Sequence, residues 1–148
     1  DTAYESWMTR GIPTPGDVLF TTEAPLGNVA ALPTGTLALA QRIITLVPGT
    51  RLHQGFLLWL LLWPESKLRI AQYSTGSTVL GIKQTVFRKI PFTFPPRDEQ
   101  QVIADKLNAA EGRVKEEGAG LWKLRTLKHG LMDDLLSGRV RTLNEGTN

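Results

Sequence analysis

The sequence predicts an α+β fold: a small mixed β domain followed by one long, coiled-coil-like C-terminal helix. Three observations carry that prediction. Short runs of strand composition, set off by Pro and Gly, occupy the first half of the chain. The stretch FPPRDEQQ, from Phe94 to Gln101, ends that pattern. Beyond it, from Ile103 to Leu135, apolar residues recur at helical spacing.

Composition sets the bounds. A chain of 148 residues can bury one real core but not two large ones. It holds no cysteine, which excludes disulfides and thiolate metal sites and fits a reducing compartment. Asp1 to Arg10 is polar and mixed, unlike a signal peptide. The longest apolar run, Phe56 to Trp63, is far short of the roughly 20 residues a membrane span needs. A soluble, cytoplasmic protein with no membrane partner is expected. Net charge is +3, and residues 1–96 hold eight Lys/Arg against five Asp/Glu. A mildly basic domain is compatible with nucleic acid, as it is with many unrelated roles.

Residues 1–15 contain few apolar positions and read as an approach segment. Gly16-Asp17 is a turn signal, and Val18 to Thr22 has strand composition. Ala24 to Asn28 forms a second turn, and Val29 to Leu32 supplies the returning strand of a hairpin-like unit. A further strand is expected over Arg42 to Val47, ended by Pro48-Gly49. Gly55 to Leu62 is rich in Leu and Trp and poor in β-branched residues, which favours a buried helix. Pro64 interrupts that helix and opens a second one carrying Leu68, Ile70, Ala71 and Tyr73. Trp59 and Trp63, four residues apart, are read as core aromatics on one helical face. Ser74 to Thr78 is a hydroxyl-rich loop around Gly76, able to present N–H and hydroxyl groups to a phosphate. A plain turn is the simpler alternative. Lys83, Arg88 and Lys89 follow it. Val86-Phe87 and Ile90 to Phe94 read as an edge-type strand.

At the seam, Pro95-Pro96 enforces extended backbone, so a helix can begin only after it. Either Pro96 fills its first position, or Asp98 caps it with Gln101 three residues on. Asp98 and Glu99 suit the positive end of the helix dipole. A heptad with a at Leu107, Val114, Leu121, Lys128 and Leu135 places d at Ile103, Ala110, Glu117, Leu124 and Leu131. All but Glu117 and Lys128 are apolar, as a coiled-coil seam requires. Gly112, Gly118 and Gly120 each cost about 1 kcal/mol relative to alanine, which predicts a weak or bent middle. Gly138 is a natural stop, and residues 142–148 are expected to fray. A lone helix with such a stripe must pack on its own domain, on another copy or on a partner.

Catalytic signals are absent. His53 and His129 are far apart and in no metal-binding pattern, and are read as surface or structural residues. No GxSxG, Walker loop or GxGxxG occurs. Asp17 and Glu23 are isolated, without the second carboxylate and lysine that would suggest a nuclease, and Asp133-Asp134 reads as a solvated face. No cofactor and no enzymatic activity are expected; a binding or assembly module is.

Four stretches resemble, in order, the C-terminal half of the specificity subunit of type I restriction-modification systems. They are GDVLFTTEAPLGNVA at 16–30, STGSTVLGIK at 74–83, IPFTFPPRDEQQVIADKL at 90–107 and LRTLKHGLMDDLLSGRVR at 124–141. The resemblance implies a target recognition domain at 1–96, a spacer helix at 97–141 and a frayed tail at 142–148. It implies a non-catalytic subunit that reads half of a bipartite site in double-stranded DNA. The spacer would pair with a second half-subunit or a copy of itself. It would also hold the modification (methyltransferase) subunits, which carry the S-adenosylmethionine site, and through them the restriction subunit. Packing would run through Ile103, Leu107, Val114, Leu121, Leu124, Leu131 and Leu135.

Candidate DNA contacts carried over from the resemblance are Thr21, Thr22, Gly27 and Asn28, and Thr75, Gly76, Ser77, Thr78 and Lys83. Gln41 and Arg42 have side chains suited to adenine and guanine edges, with a solvated strand end as the plainer reading. Family domains have several strands upstream of the GDVLF stretch, where this chain has fifteen residues. The expectation is therefore a domain truncated at its N-terminus. On the alternative reading, the chain is an interaction module that pairs through its helix and no longer binds DNA.

Overall fold

In a computed structural model, which describes residues 12–35 and 38–142, three strands form one antiparallel sheet. Strand β1 (Val18–Thr21) lies in the middle, between β2 (Val29–Ala31) and β3 (Ile43–Leu46). Phe20 faces Val29 on one side and Ile44 on the other. Side chains alternate across a strand, so Val18 and Phe20 share the core face and are fully buried. The hairpin and the third strand stand where the sequence pattern put them. The first eleven residues of the approach segment, like most of the tail, lie outside the described residues.

Helix α1 (Gln54–Leu62) buries Phe56, Leu57, Leu60 and Leu61. It ends because Pro64 disfavours the α conformation at Trp63, whose ψ is 130°. Helix α2 (Pro64–Gln72) starts with that proline and turns Ser66 and Ile70 inward. Trp63 is therefore not a core aromatic: it sits at the junction, 56% exposed, while Trp59 is half-buried. The main core joins Val18, Phe20, Leu57, Leu61, Ile70, Ile82 and Ile90. Phe20 and Phe87 add a tilted ring pair with centroids 4.7 Å apart.

The edge strand expected before the seam does not form. Val86 and Phe87 belong to a short helix, α3 (Gln84–Phe87), and residues 90–96 are in no strand. Pro91, Pro95 and Pro96 have no N–H to give to a ladder. Side chains take the carbonyls instead: Arg69 Nη1 donates to Pro91 O at 2.7 Å, and Gln100 Nε2 to Pro95 O at 2.7 Å. Ile90 is buried and Phe92 and Phe94 are half-buried, so the period of two records inward-facing residues without a sheet.

Helix α4 (Arg97–Leu136) runs unbroken for 40 residues, through Gly112, Gly118 and Gly120. Pro96 precedes its first residue and accepts the Gln100 N–H at 3.0 Å. Pro96 thus lies one residue earlier than a first helical position, and Asp98 lies inside the first turn instead of capping it. Asp98 and Glu99 occupy the dipole-favoured turn. Gly138 closes the far end with φ +73° and donates to Leu135 O, while Val140 donates to Asp134 O.

Two compact units divide the chain, residues up to 106 and residues from 107 onward. In the first, the opening turns of α4 are held by a buried amide. Gln100 has no exposed surface. Its Oε1 accepts the His53 N–H at 2.8 Å, and its Nε2 donates to Arg51 O at 3.1 Å and to Pro95 O. Arg97 Nη1 reinforces the joint by donating to Leu52 O at 2.6 Å. One turn on, Ala104 is fully buried with Phe56 and Leu60, and a methyl at Gly55 would lie 3.3 Å from its Cβ. His53 accordingly serves structure through its backbone. In the second unit, Val114, Leu121, Leu124 and Leu131 are exposed, and Leu124, Leu127, Leu131 and Leu135 line a shallow apolar groove.

Gln100→Ala strands two carbonyls and one N–H whose bonds are part-buried, each costing about 1–3 kcal/mol. Chemical denaturation should show a loss of about 3 kcal/mol or more. Gln100→Glu should be comparably damaging at neutral pH, because a carboxylate cannot donate to two carbonyls. A loss within 0.5 kcal/mol for both, roughly the scatter of surface substitutions, would refute this role.

Candidate functional site

Thr22 gathers three separate stretches of chain at one end of the sheet. Its N–H and its hydroxyl both donate to Arg42 O, at 2.8 and 3.1 Å, which fixes the entry to β3. Its carbonyl accepts the Ile82 N–H at 2.9 Å, which fixes the end of the 74–83 loop. Ile82 is itself a core residue, so the loop is anchored by burial as well. A second link, the β-bridge between Glu23 and Gly81, lies one residue along on each segment.

Thr21 organises the hairpin turn. Its hydroxyl donates to Pro25 O at 2.5 Å and accepts the Asn28 N–H at 2.9 Å. Its backbone exchanges further bonds with Gly27 and Asn28. Gly27 has φ +86°, a conformation that favours glycine, and an added Cβ there would meet nothing within 4 Å. The need is conformational. Ala24 and Pro25 form the exposed tip of the turn, and Asn28 is exposed beside it.

The 74–83 loop is closed by paired bonds between Thr75 and Gly81, both at 2.9 Å. Gly76 has φ +116°, and a Cβ on it would fall 2.1 Å from Val79 O, so only glycine permits this closure. Thr75, Gly76, Ser77 and Thr78 are exposed along the loop, as are Val79 and Leu80. Lys83 is exposed just beyond, next to α3. Gln41 and Arg42 are exposed at the head of β3.

The residues singled out in the sequence therefore sort into two kinds. Thr21, Thr22, Gly27, Thr75 and Gly76 hold the backbone framework. Asn28, Gln41, Arg42, Ser77, Thr78 and Lys83 stand exposed on the three segments that Thr22 and Glu23 tie together. Sequence reasoning missed Glu23, which is not an isolated acid: its Oε1 lies 2.9 Å from Arg42 Nε. No local signal joins residues 23 and 42. Asp17 is buried and accepts the Thr14 N–H at 2.8 Å. Asp134 pairs with Arg139.

Among the described residues no group of His, Cys, Asp or Glu could hold a metal ion, and no helix is long and apolar enough to cross a membrane. The end of the sheet offers hydroxyls, an amide, a guanidinium and an ammonium on a fixed backbone. Such a surface can bind an anionic polymer and hydrogen-bond to its bases. A family model for the type I restriction modification DNA specificity domain matches residues 11–117.

The chain belongs to that family.

The match takes in all three segments at the end of the sheet and the first half of α4. Specificity domains of this family are recognition modules without catalytic activity, so the chain is a DNA-recognition component and not an enzyme. Such a module needs loops held to a defined shape. Gly76→Ala should strain the 75–81 loop by about 1–3 kcal/mol. Hydrogen exchange should then quicken at the amides of Thr75 and Gly81; unchanged exchange would show that the loop closes without glycine.

Proposed function

We propose that this chain reads one half of a bipartite site in duplex DNA through the sheet end built around Thr22. The observation that carries the reading is the convergence of the 21–28 turn, the head of β3 and the 74–83 loop, which together present every exposed candidate contact. Lys83 and the Ser77 and Thr78 hydroxyls hold phosphates and set position, while side chains on the turn and at β3 meet base edges. Residues 1–96 act as the recognition domain and 97–141 as the spacer. The apolar stripe from Leu107 to Leu135 pairs with a second half-subunit or another copy and seats the modification subunits, through which the restriction subunit is recruited. An exposed row of Val114, Leu121, Leu124 and Leu131 supports that assignment, since water-exposed apolar stripes of this length call for a cover. The work is done on cytoplasmic DNA and needs no cofactor of the chain's own.

Binding to a mixed duplex pool, with the modification subunit present, tests the reading. Affinity should fall steeply as salt rises, because bound counterions are released from each neutralised phosphate. Lys83→Ala should weaken binding for all sequences alike and lower the salt slope by about 1. Binding that ignores salt, or no binding, would leave the helix-pairing interaction module as the surviving account.

A further inference from the structure

The geometry points to Arg42 as a guanine-reading residue whose guanidinium is aimed by Glu23. The inference rests on the DNA-binding reading above and adds which base is read and what positions the reader. Arg42 starts from a fixed place, since its carbonyl accepts two bonds from Thr22. Its side chain is 63% exposed, and its Nε lies 2.9 Å from Glu23 Oε1. Glu23 is itself held, by the bridge that pairs its backbone with Gly81. No hydrogen bond among the described residues engages the two terminal amino groups of Arg42. They form the end of the fork that fits O6 and N7 of guanine.

An exposed ion pair of this kind contributes about 0–1 kcal/mol to folding, so stability is a poor account of it. Orientation is a better one. An ion-pairing carboxylate 2.9 Å from Nε restricts a long side chain that would otherwise lose rotamer freedom on binding. It also decides the ligand. A phosphate brought to Arg42 would meet the negative charge of Glu23, whereas a guanine edge is neutral. Lys83, which has no ion-pair partner among the described residues, is the phosphate-binding counterpart on the neighbouring loop.

Selection from randomised duplexes, using the full chain with the modification subunit, should enrich one invariant G·C pair that Arg42 reads. Anisotropy titrations then compare that duplex with its A·T substitute. Arg42→Lys keeps the charge but lacks the fork, and should reduce the preference for G·C at that pair by about 10- to 100-fold while leaving other positions selective. Glu23→Gln should reduce preference at the same pair, by about 3- to 10-fold, without lowering affinity for unrelated duplex, as a positioning role demands. Both substitutions are at exposed side chains, and unchanged melting temperatures verify that folding is intact. If Arg42→Lys is uniform across sequences or silent, Arg42 contacts phosphate or nothing and the inference fails while DNA binding stands. A Glu23→Gln effect that merely raises affinity for every duplex overturns the positioning role. Absence of salt-sensitive binding by the unaltered chain overturns the inference together with the reading beneath it.

Discussion

The Gln100 carboxamide, fully buried, satisfies the His53 N–H and the carbonyls of Arg51 and Pro95 at once. Those groups come from two stretches that have no strand or helix to satisfy them: the lead-in to α1 and the proline seam. A backbone group left unpaired in the interior costs about as much as the hydrogen bond it lacks. Gln100 therefore holds two irregular, part-buried segments side by side, with α4 beginning at the end of one of them. Ala104, small and completely covered, lets the helix approach α1 where Gly55 has no side chain to obstruct it. Without this joint the second apolar cluster has no roof, because Ala104 and Ile103 come from α4.

The same economy of means builds the end of the sheet around Thr22. Strand pairing stops at Thr21, and beyond it the chain relies on individual hydrogen bonds from Thr21 and Thr22 and on the bridges made by Gly81. Framework residues spend their polar groups on backbone, which leaves Asn28, Gln41, Arg42, Ser77, Thr78 and Lys83 to face solvent. The proposed reading surface needs this division, because exposed side chains discriminate only when their backbones do not drift. The core residues Phe20 and Ile82 supply the rigidity from below.

Much of the fold was legible in the sequence because its signals are local. The GDVLF strand, the Pro25-Leu26-Gly27-Asn28 turn and the Pro64 helix start each depend on residues within a few positions. The misreadings have separate causes. Ile90, Phe92 and Phe94 have the period of a strand, but the ladder that would make them one is replaced by bonds from Arg69 and Gln100, which lie elsewhere in the chain. Trp63 has helical spacing from Trp59, yet the proline after it ends the helix. Glu23 looked solitary because its partner is nineteen residues away and is brought near only by the β1–β3 pairing. The candidate site was legible as three loops with suitable chemistry, and that they meet was not.

Whether those three segments act as one DNA face is the claim on which the functional account turns. Hydrogen-exchange mass spectrometry on the chain with a modification subunit added, with and without a duplex selected for binding, tests it directly. The account predicts slowed exchange in peptides from residues 21–28, 41–43 and 75–83 together, in the same titration range. Protection that falls on only one segment, or solely on α4 beyond Leu107, would contradict it.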